Sequence, residues 1–356
     1  MWIASLSASF ILALCLTYFT RNLAKKYKIL DHPGGRKLQT KAVPLWGGLA
    51  IFLAAALVLL WQNKFLVVGQ LEYHHWWGVL IGALILVIGG ALDDKYDLKP
   101  RQQIIFPILA SLAVIAGGVG IAKITNPFSG LVYLDNWQVP LGYWFGQMHY
   151  FVVITDIFTF LWLMGMMYTT KLLDGLDGLA SGVGAVASIM IFLFTMTTRY
   201  YQPDIALAAA VFAGACLGFL VWNWHPAKIY LGEGGSTLIG FILGVLSIIS
   251  GGKIAVALLI MGIPIMDVVW AIVRRSLEGK NPFKNPDRQH LHFRLADSRL
   301  GVRKTVIIYY IFAVMFGLNA LFLQSRGKLI SLLILGLVML GIIIWLARLD
   351  KKSKVA

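Results

Sequence analysis

Eleven long apolar runs constrain the fold of this chain more than any other feature. A helix that crosses a bilayer needs about 20 mostly apolar residues, with a range near 17–25. The runs lie near 1–20, 43–61, 77–92, 104–122, 157–170, 179–198, 205–222, 235–250, 254–273, 305–323 and 328–347. With 59% hydrophobic and 13% charged residues, the 356-residue chain has too few polar side chains for a soluble domain. We therefore predict one all-α integral membrane domain, residues 1–356, of about 11 transmembrane helices.

The basic residues predict how these helices are oriented. If the N-terminus lies outside, 25 of the 31 Lys and Arg residues fall in cytoplasmic segments. Those segments are 21–42, 93–103, 171–178, 223–234, 274–304 and 348–356. Because cytoplasmic loops are enriched in Lys and Arg, this distribution predicts an outside N-terminus and a cytoplasmic C-terminus. The net charge of +15 then indicates contact with anionic lipid of the inner leaflet, and no nucleic acid partner.

The loop 123–156 is predicted to lie outside the membrane. Within it, the stretch from Leu131 to Trp144 alternates in polarity and contains Asn136 and Pro140. This pattern is typical of strands joined by a turn, so we predict a small periplasmic hairpin.

Acidic residues occur at two places on the predicted cytoplasmic face. Asp93 and Asp94 end the third run, where adjacent carboxylates are costly unless they have a function. In the Asp174–Gly178 motif, two carboxylates separated by three positions lie beside glycines that allow close approach of a ligand. Both pairs suit a divalent cation or an anionic substrate bridged by one. Each could also be an ordinary solvated helix end or loop.

Three further polar segments lie on the same face. The segment Trp222–Ser236 contains Glu233 in a glycine-rich sequence that could present backbone N–H groups to phosphate. The segment Asp287–Arg294 contains histidines and arginines, and the segment Asp31–Gly48 is basic. Taken singly, the first segment is compatible with an ordinary helix entry, the second with an anchoring loop and the third with a topology signal. Taken together with the carboxylates, they supply what phosphoryl-group chemistry on a membrane lipid requires.

Five motifs together resemble a known family. They are Arg36-Lys37 with Pro44 and Gly47-Gly48, then Asp93-Asp94, Asp174–Ala180, Gly232–Ser236 and His290–Arg294. In this order, from about residue 20 to 347, the chain resembles the polyprenyl-phosphate N-acetylhexosamine-1-phosphate transferases, glycosyltransferase family 4. Two details resemble the branch that starts teichoic acid and O-antigen synthesis, and differ from the related phospho-N-acetylmuramoyl-pentapeptide transferases of peptidoglycan synthesis. They are Asp97 and the His290-Leu291-His292 sequence. Pro264 with Asp267 also resembles the first branch.

The resemblance implies a reaction and a location. An N-acetylhexosamine 1-phosphate, by default N-acetylglucosamine 1-phosphate, would pass from a UDP-sugar to undecaprenyl phosphate, with release of UMP. The product would start a cell-envelope glycan such as teichoic acid or lipopolysaccharide. The enzyme would lie in the bacterial plasma membrane with its active site facing the cytoplasm, and a homodimer is left open.

The resemblance also implies a role for each motif. Mg²⁺, or Mn²⁺ in its place, would be held by Asp174 and Glu233, with Asp94 close by. Asp93 and Asp94 would act as catalytic residues that position or deprotonate the lipid phosphate. The residues that would bind substrate are Lys37, Asp177, Asn223, Tyr230, His290, His292 and Arg294.

The chain departs from the family pattern at four positions. Lys171 stands where Asn is usual, Glu233 where Asp is usual, Gln39 where His is common, and Gln103 where Lys is common. Lys171 and Gln103 keep open a catalytically degenerate family member that acts as a scaffold. A transporter of phosphorylated solutes is disfavoured because the acids cluster at one face and no inverted repeat is seen. A CDP-alcohol phosphotransferase would have Ala-Arg after the first Asp-Gly, which this chain lacks.

Overall fold

The computed structural model describes residues 1–34, 41–69, 71–126, 130–144, 147–251, 254–279 and 289–353. Its α-helices, in chain order, are α1 (Trp2–Lys26), α2 (Gly47–Trp61), α3 (Tyr73–Tyr96), α4 (Pro100–Gln103), α5 (Ile105–Ala116), α6 (Val153–Leu173), α7 (Leu179–Thr195), α8 (Pro203–Asn223), α9 (Gly232–Ile249), α10 (Ile254–Ile260), α11 (Gly262–Leu277), α12 (Leu291–Asp297), α13 (Gly301–Phe322) and α14 (Ser325–Ser353). Its strands are β1 (Leu30–Asp31), β2 (Val43–Pro44), β3 (Lys123–Thr125), β4 (Leu131–Tyr133), β5 (Gln138–Trp144) and β6 (Gln147–Val152).

The predicted all-α membrane class is confirmed by the length and composition of these helices. Within the described ranges, 7 helices are long and apolar enough to cross a bilayer, namely α1, α3, α6, α8, α9, α13 and the part of α14 up to Ile342. An eighth span is present if α10 and α11 are counted as one. The remaining predicted runs correspond to the shorter apolar helices Gly47–Trp61, Pro100–Ala116 and Leu179–Thr195. The total of 11 crossings and their orientation stay predictions.

The ninth apolar run, predicted as one helix over 254–273, is broken instead. The axes of α10 and α11 meet at 80°. Pro264 falls in the first turn of α11, where a residue without an N–H is tolerated because that donor has no partner within the helix. The break redirects the chain and places Asp267 of α11 in the protein interior.

Helices α8 and α9 form the centre of the bundle and are buried along most of their length. Helix α8 is rich in alanine and glycine, and α1 packs closely against it. A methyl group at Gly214 or Gly218 would overlap the α1 main chain at Leu6 or Phe10. Small residues at such crossings permit the close backbone contact on which packing within a membrane depends. Helices α1 and α14, by contrast, leave most of their surface uncovered.

The loop between α5 and α6 contains two antiparallel hairpins where the sequence predicted one. Strand β3 pairs with β4, and β5 pairs with β6. The two strands within 131–144 therefore pair with segments outside that stretch and not with each other. Alternation indicates which residues are extended, but the partner of a strand is chosen by the turn that connects it.

Helices α2, α3 and α9 cross at a seam of glycines close to the acidic motifs. Gly48 of α2 lies against Gly235 of α9, and Gly90 of α3 lies against Gly234 of α9. A methyl group on Gly48 or Gly90 would overlap main-chain atoms of the facing glycine. This close approach sets the distance between the last turn of α3, with Asp94, and the first turn of α9, with Glu233.

Candidate active site

The acidic motifs lie at neighbouring helix ends. The last turn of α3 carries Asp93 and Asp94, and Asp174 follows the last residue of α6. Glu233 lies in the first turn of α9. The structure therefore brings three predicted motifs together from distant parts of the chain.

Asp94 is held by the N-terminus of α9. Its Oδ1 accepts a hydrogen bond from the backbone N–H of Glu233 at 3.0 Å. Its carboxyl also lies so close to Gly232 that a side chain there would overlap it. A carboxylate at this place satisfies one of the unpaired N–H groups of the helix and is favoured by the helix dipole. This N–H of the glycine-rich motif therefore binds a carboxylate of the protein, where the sequence suggested a phosphate.

Asp93 belongs to a chain of polar contacts that crosses the site. Its Oδ1 accepts hydrogen bonds from the Leu98 N–H at 3.0 Å and from Gln103 Nε2 at 2.9 Å. The other end of the Gln103 amide, Oε1, accepts a hydrogen bond from Lys171 Nζ at 3.2 Å. The same ammonium forms an ion pair with Glu233 Oε1 at 2.6 Å. Asp93 and Glu233 are thus linked through two side chains from α4 and α6.

Asp174 faces like charges in a crowded environment. Burial of its carboxyl, followed by the charges of Glu233, Asp177 and Asp94, raises its pKa from 3.8 to about 8. Since ionised Asp174 would be disfavoured here without a compensating cation, its surroundings are suited to bind one.

The donor set fits a hard divalent cation, but it is not arranged as a finished metal site. Carboxylate oxygens are the ligands that Mg²⁺ prefers, and Asp94, Asp174 and Glu233 lie close enough to influence one another's charge. In the described part of the chain, no three His, Cys, Asp or Glu side chains are grouped as metal ligands. The contact of Lys171 with Glu233 accounts for part of this difference, because the ammonium takes a position next to one carboxylate oxygen.

Asp177 and Asn223 are both engaged by the loop after α8. Asp177 Oδ2 lies 2.7 Å from His225 Nδ1 and accepts a hydrogen bond from the Ala227 N–H at 3.0 Å. Asn223 accepts hydrogen bonds from the Gly178 N–H and the Ser181 hydroxyl, and donates one to the Ile229 carbonyl. Because both ends of this amide are used within the protein, Asn223 joins the 174–178 turn to the 223–230 loop.

Tyr230 is positioned by main-chain pairing. The N–H of Tyr230 donates to the Pro44 carbonyl at 2.8 Å, and its own carbonyl accepts from the Gly47 N–H at 2.9 Å. Burial, together with the charges of Asp177, Asp31 and Asp174, raises the pKa of its phenol. Tyr230 therefore stays neutral beside the carboxylates, with its hydroxyl protonated.

The two histidines of the fourth motif converge on Asp267. His290 Nδ1 lies 3.0 Å and His292 Nδ1 3.8 Å from Asp267 Oδ2, while Oδ1 accepts the Leu291 N–H at 2.9 Å. All three side chains are buried. The ring of His292 packs so closely on Gly175 that a methyl group there would contact Nε2. This places the histidine motif beside Asp174.

We expect Asp267→Asn to lower turnover by about 10- to 100-fold, because a carboxylate that orients an imidazole fixes its tautomer and ring position. An amide at this position presents an N–H₂ group to a ring that now faces a carboxylate. The measurement is kcat of detergent-purified protein, with Asp135→Asn in the loop between α5 and α6 as the control. Turnover within twofold of that control would show that Asp267 has no positioning role.

For two predicted substrate-binding residues, Lys37 and Arg294, the structure does not test the predicted role of the side chain. Lys37 lies outside the described residues, as do Arg36 and Gln39. Arg294 lies in α12, and its N–H donates to the His290 carbonyl at 3.1 Å. The roles of both side chains stay predictions.

Two residues that contact the predicted site residues were assigned no role from the sequence. Asp267 is an acid within an apolar run, which by itself indicates a function. His225 belongs to the Trp222–Pro226 segment and contacts Asp177. The contacts of Asp267 with His290 and of His225 with Asp177 show that both residues belong to the site.

Comparison with known proteins agrees with the family resemblance that the motifs indicate. The sequence model described as glycosyl transferase family 4 matches residues 76–251. An undecaprenyl-phosphate alpha-N-acetylglucosaminyl 1-phosphate transferase of Thermotoga maritima is 32% identical over 322 residues, which cover 90% of this chain and 89% of the relative. A probable undecaprenyl-phosphate N-acetylglucosaminyl 1-phosphate transferase of Bacillus subtilis is 29% identical over 334 residues, 92% of this chain and 86% of the relative. A decaprenyl-phosphate N-acetylglucosaminephosphotransferase of Mycobacterium tuberculosis is 29% identical over 368 aligned residues, 93% and 85% of the two chains.

Proposed function

Since the chain belongs to glycosyl transferase family 4, we propose that it transfers N-acetylglucosamine 1-phosphate from a UDP-sugar to undecaprenyl phosphate and releases UMP. The names of the relatives from Thermotoga maritima and Bacillus subtilis support the lipid acceptor and the transferred sugar phosphate. The UDP-sugar donor, the requirement for Mg²⁺ and the start of a cell-envelope glycan belong to this proposal.

The observation that carries the proposal is the gathering of Asp94, Asp174 and Glu233 at one end of the helix bundle. These carboxylates come from α3, from the turn after α6 and from α9, and the His290–Arg294 motif packs beside them. A sugar nucleotide is water-soluble, whereas a polyprenyl tail lies in the bilayer, so the two can meet only at a membrane interface. We place this end at the cytoplasmic surface of the bacterial plasma membrane, where the basic loops also favour anionic lipid.

In the proposed reaction, an oxygen of the lipid phosphate forms a bond to the phosphorus that carries the sugar. The bond from that phosphorus to the UMP oxygen breaks, and UMP leaves with the electron pair. Mg²⁺ bound at the carboxylates would neutralise the charge that develops on the departing UMP. Asp94, Asp174 and Glu233 are the residues that would hold the ion.

The protein's own groups have three tasks in this scheme. Asp93 and Asp94 position the lipid phosphate, which is largely ionised at neutral pH because its second pKa is near 6. His290, His292, Arg294 and Lys37 hold phosphate or sugar oxygens, as cations and imidazoles do well. Asp177 and Tyr230 border the nucleotide, while Asn223 keeps their loops together.

The test is release of UMP by detergent-purified protein with undecaprenyl phosphate, Mg²⁺ and a panel of UDP-sugars. The proposal predicts release that requires lipid and metal and that is fastest with UDP-N-acetylglucosamine. Release with another UDP-sugar alone would replace the proposed donor. No release with any donor, from a folded sample, would support the scaffold alternative.

A further inference from the structure

Three of the four positions at which the chain departs from the family pattern meet in space. Lys171, Gln103 and Glu233 are consecutive members of the polar chain that starts at Asp93. They come from α6, α4 and α9, so nothing in their sequence spacing predicts the contact. Their meeting indicates that the three replacements act as one unit.

The ion pair within this unit is short and shielded. Lys171 Nζ lies 2.6 Å from Glu233 Oε1, and the two side chains keep only 25% and 20% of their surface exposed. The ammonium is also 5.6 Å from the centre of the Tyr168 ring. Since solvent screens such a pair less than an exposed one, the charge of Lys171 has a large effect on any cation that approaches Glu233.

Gln103 passes the effect of this ammonium to Asp93. Its Oε1 accepts from Lys171, which fixes the amide so that Nε2 donates to Asp93 Oδ1 and to the Leu98 carbonyl. A neutral residue at 171 would leave Glu233 without this cation, and a lysine at 103 would place a second ammonium about where the amide now contacts Lys171. The residues at 103 and 171 therefore have to match each other.

We propose that Lys171 is a positioning residue that holds Glu233 and, through Gln103, Asp93 in place when no metal ion is bound, and that a divalent cation displaces its ammonium from Glu233. The inference rests on the proposed function, which makes Glu233 a metal ligand. Two cations compete for one carboxylate oxygen, so the ion pair lowers the metal affinity of the free protein. Once displaced, the ammonium stays within the site as a donor for a substrate phosphate.

The experiment measures Mn²⁺ binding by electron paramagnetic resonance on the detergent-purified full chain, with no substrate added. Lys171→Met removes a like charge beside the metal and is expected to tighten Mn²⁺ binding by about tenfold or more. Lys25→Met is the control, because it removes the same charge from the exposed last turn of α1. Equal Mn²⁺ affinity in the two variants would overturn the proposal.

Melting temperatures provide a second readout that does not depend on turnover. Without metal, Lys171→Met is expected to melt below wild type because Glu233 loses its counter-charge, and Mn²⁺ is expected to raise its melting temperature more than that of wild type. An unchanged melting temperature in metal-free buffer would contradict the positioning role.

If Lys171→Met does not fold, the double variant Gln103→Lys/Lys171→Asn tests the proposal in its place. It supplies the ammonium from α4 in place of α6, and we expect it to melt closer to wild type than Gln103→Lys alone. A double variant no more stable than the single one would overturn the proposal. None of these measurements uses a UDP-sugar, so a failure of UMP release would reject the proposed function without affecting the result for Lys171.

Discussion

Replacing Asp174 with Asn is expected to reduce turnover by about 1,000-fold or more, the largest loss that we expect from any single change in the site. Asn keeps the size of the side chain but removes a charge that a divalent cation would use. The carboxyl lies beside Glu233, Asp177 and Asp94, so no neighbouring acid can take over its position without moving. The measurement is the rate of UMP release with saturating donor, lipid and Mg²⁺.

The same variant is expected to be more stable than wild type in metal-free buffer. The folded-state pKa of Asp174 is raised from 3.8 to about 8, so the folded protein binds more protons than the unfolded chain within this pH window. The stability contributed by Asp174 therefore falls as pH rises from about 4 to about 8. In metal-free buffer, the melting temperature of Asp174→Asn should exceed that of wild type by a margin that grows over this window.

Turnover of Asp174→Asn near that of Asp135→Asn, the control in the loop between α5 and α6, would reject Asp174 as a metal ligand. A margin in melting temperature that shrinks with rising pH would reject the raised pKa. The two readouts separate the chemical role of the carboxyl from its effect on folding.

Gly90→Ala is expected to have the largest effect of any change outside the charged residues. A methyl group at this position would overlap the backbone N and Cα of Gly234, and neither can rotate away. Overpacking of this kind costs about 1–3 kcal/mol, occasionally more. Because the seam between α3 and α9 spaces Asp94 from Glu233, a shift of about 1 Å is expected to lower turnover by about 100-fold.

Gly165→Ala is the matched control for this prediction. Gly165 lies within α6, and nothing in the structure approaches a Cβ added there. In both variants alanine favours the helix over glycine by about 1 kcal/mol, so any difference between them reports the overlap at the seam. If Gly90→Ala has the same melting temperature and the same turnover as Gly165→Ala, the seam does not set the geometry of the site.

The fold class and the family could be predicted from the sequence because both depend on local patterns. Each apolar run near 20 residues corresponds to a helix or to the bent pair α10–α11, and family membership is confirmed. The failures were local as well. The bend near Gly262 and the pairing of the hairpin strands depend on contacts that hydropathy and alternation do not record.

In the candidate site too, local sequence patterns identified some residues, whereas others were recognised only through contacts between distant segments. Asp93 and Asp94 were identified because adjacent acids at the end of an apolar run are costly. Asp174 and Glu233 were identified by the glycine-rich motifs that contain them and by the family resemblance. Asp267 and His225 received no role, since their partners are a histidine 23 positions away and an aspartate 48 positions away. Spacing along one helix cannot reveal such pairs.

Hydropathy, charge and short motifs act over a few neighbouring residues, and they were enough to predict a helical membrane protein of a sugar-phosphate transferase family. How the motifs are used depends on the packing of the helices. Asp94 caps α9 by accepting the N–H of Glu233, which lies 139 positions later in the chain, and Lys171 forms an ion pair with Glu233 between α6 and α9. Helix packing, through glycine contacts at the crossings, brings particular charges together. The free energy of a buried charge depends on all the groups that it meets, including those far away in the sequence.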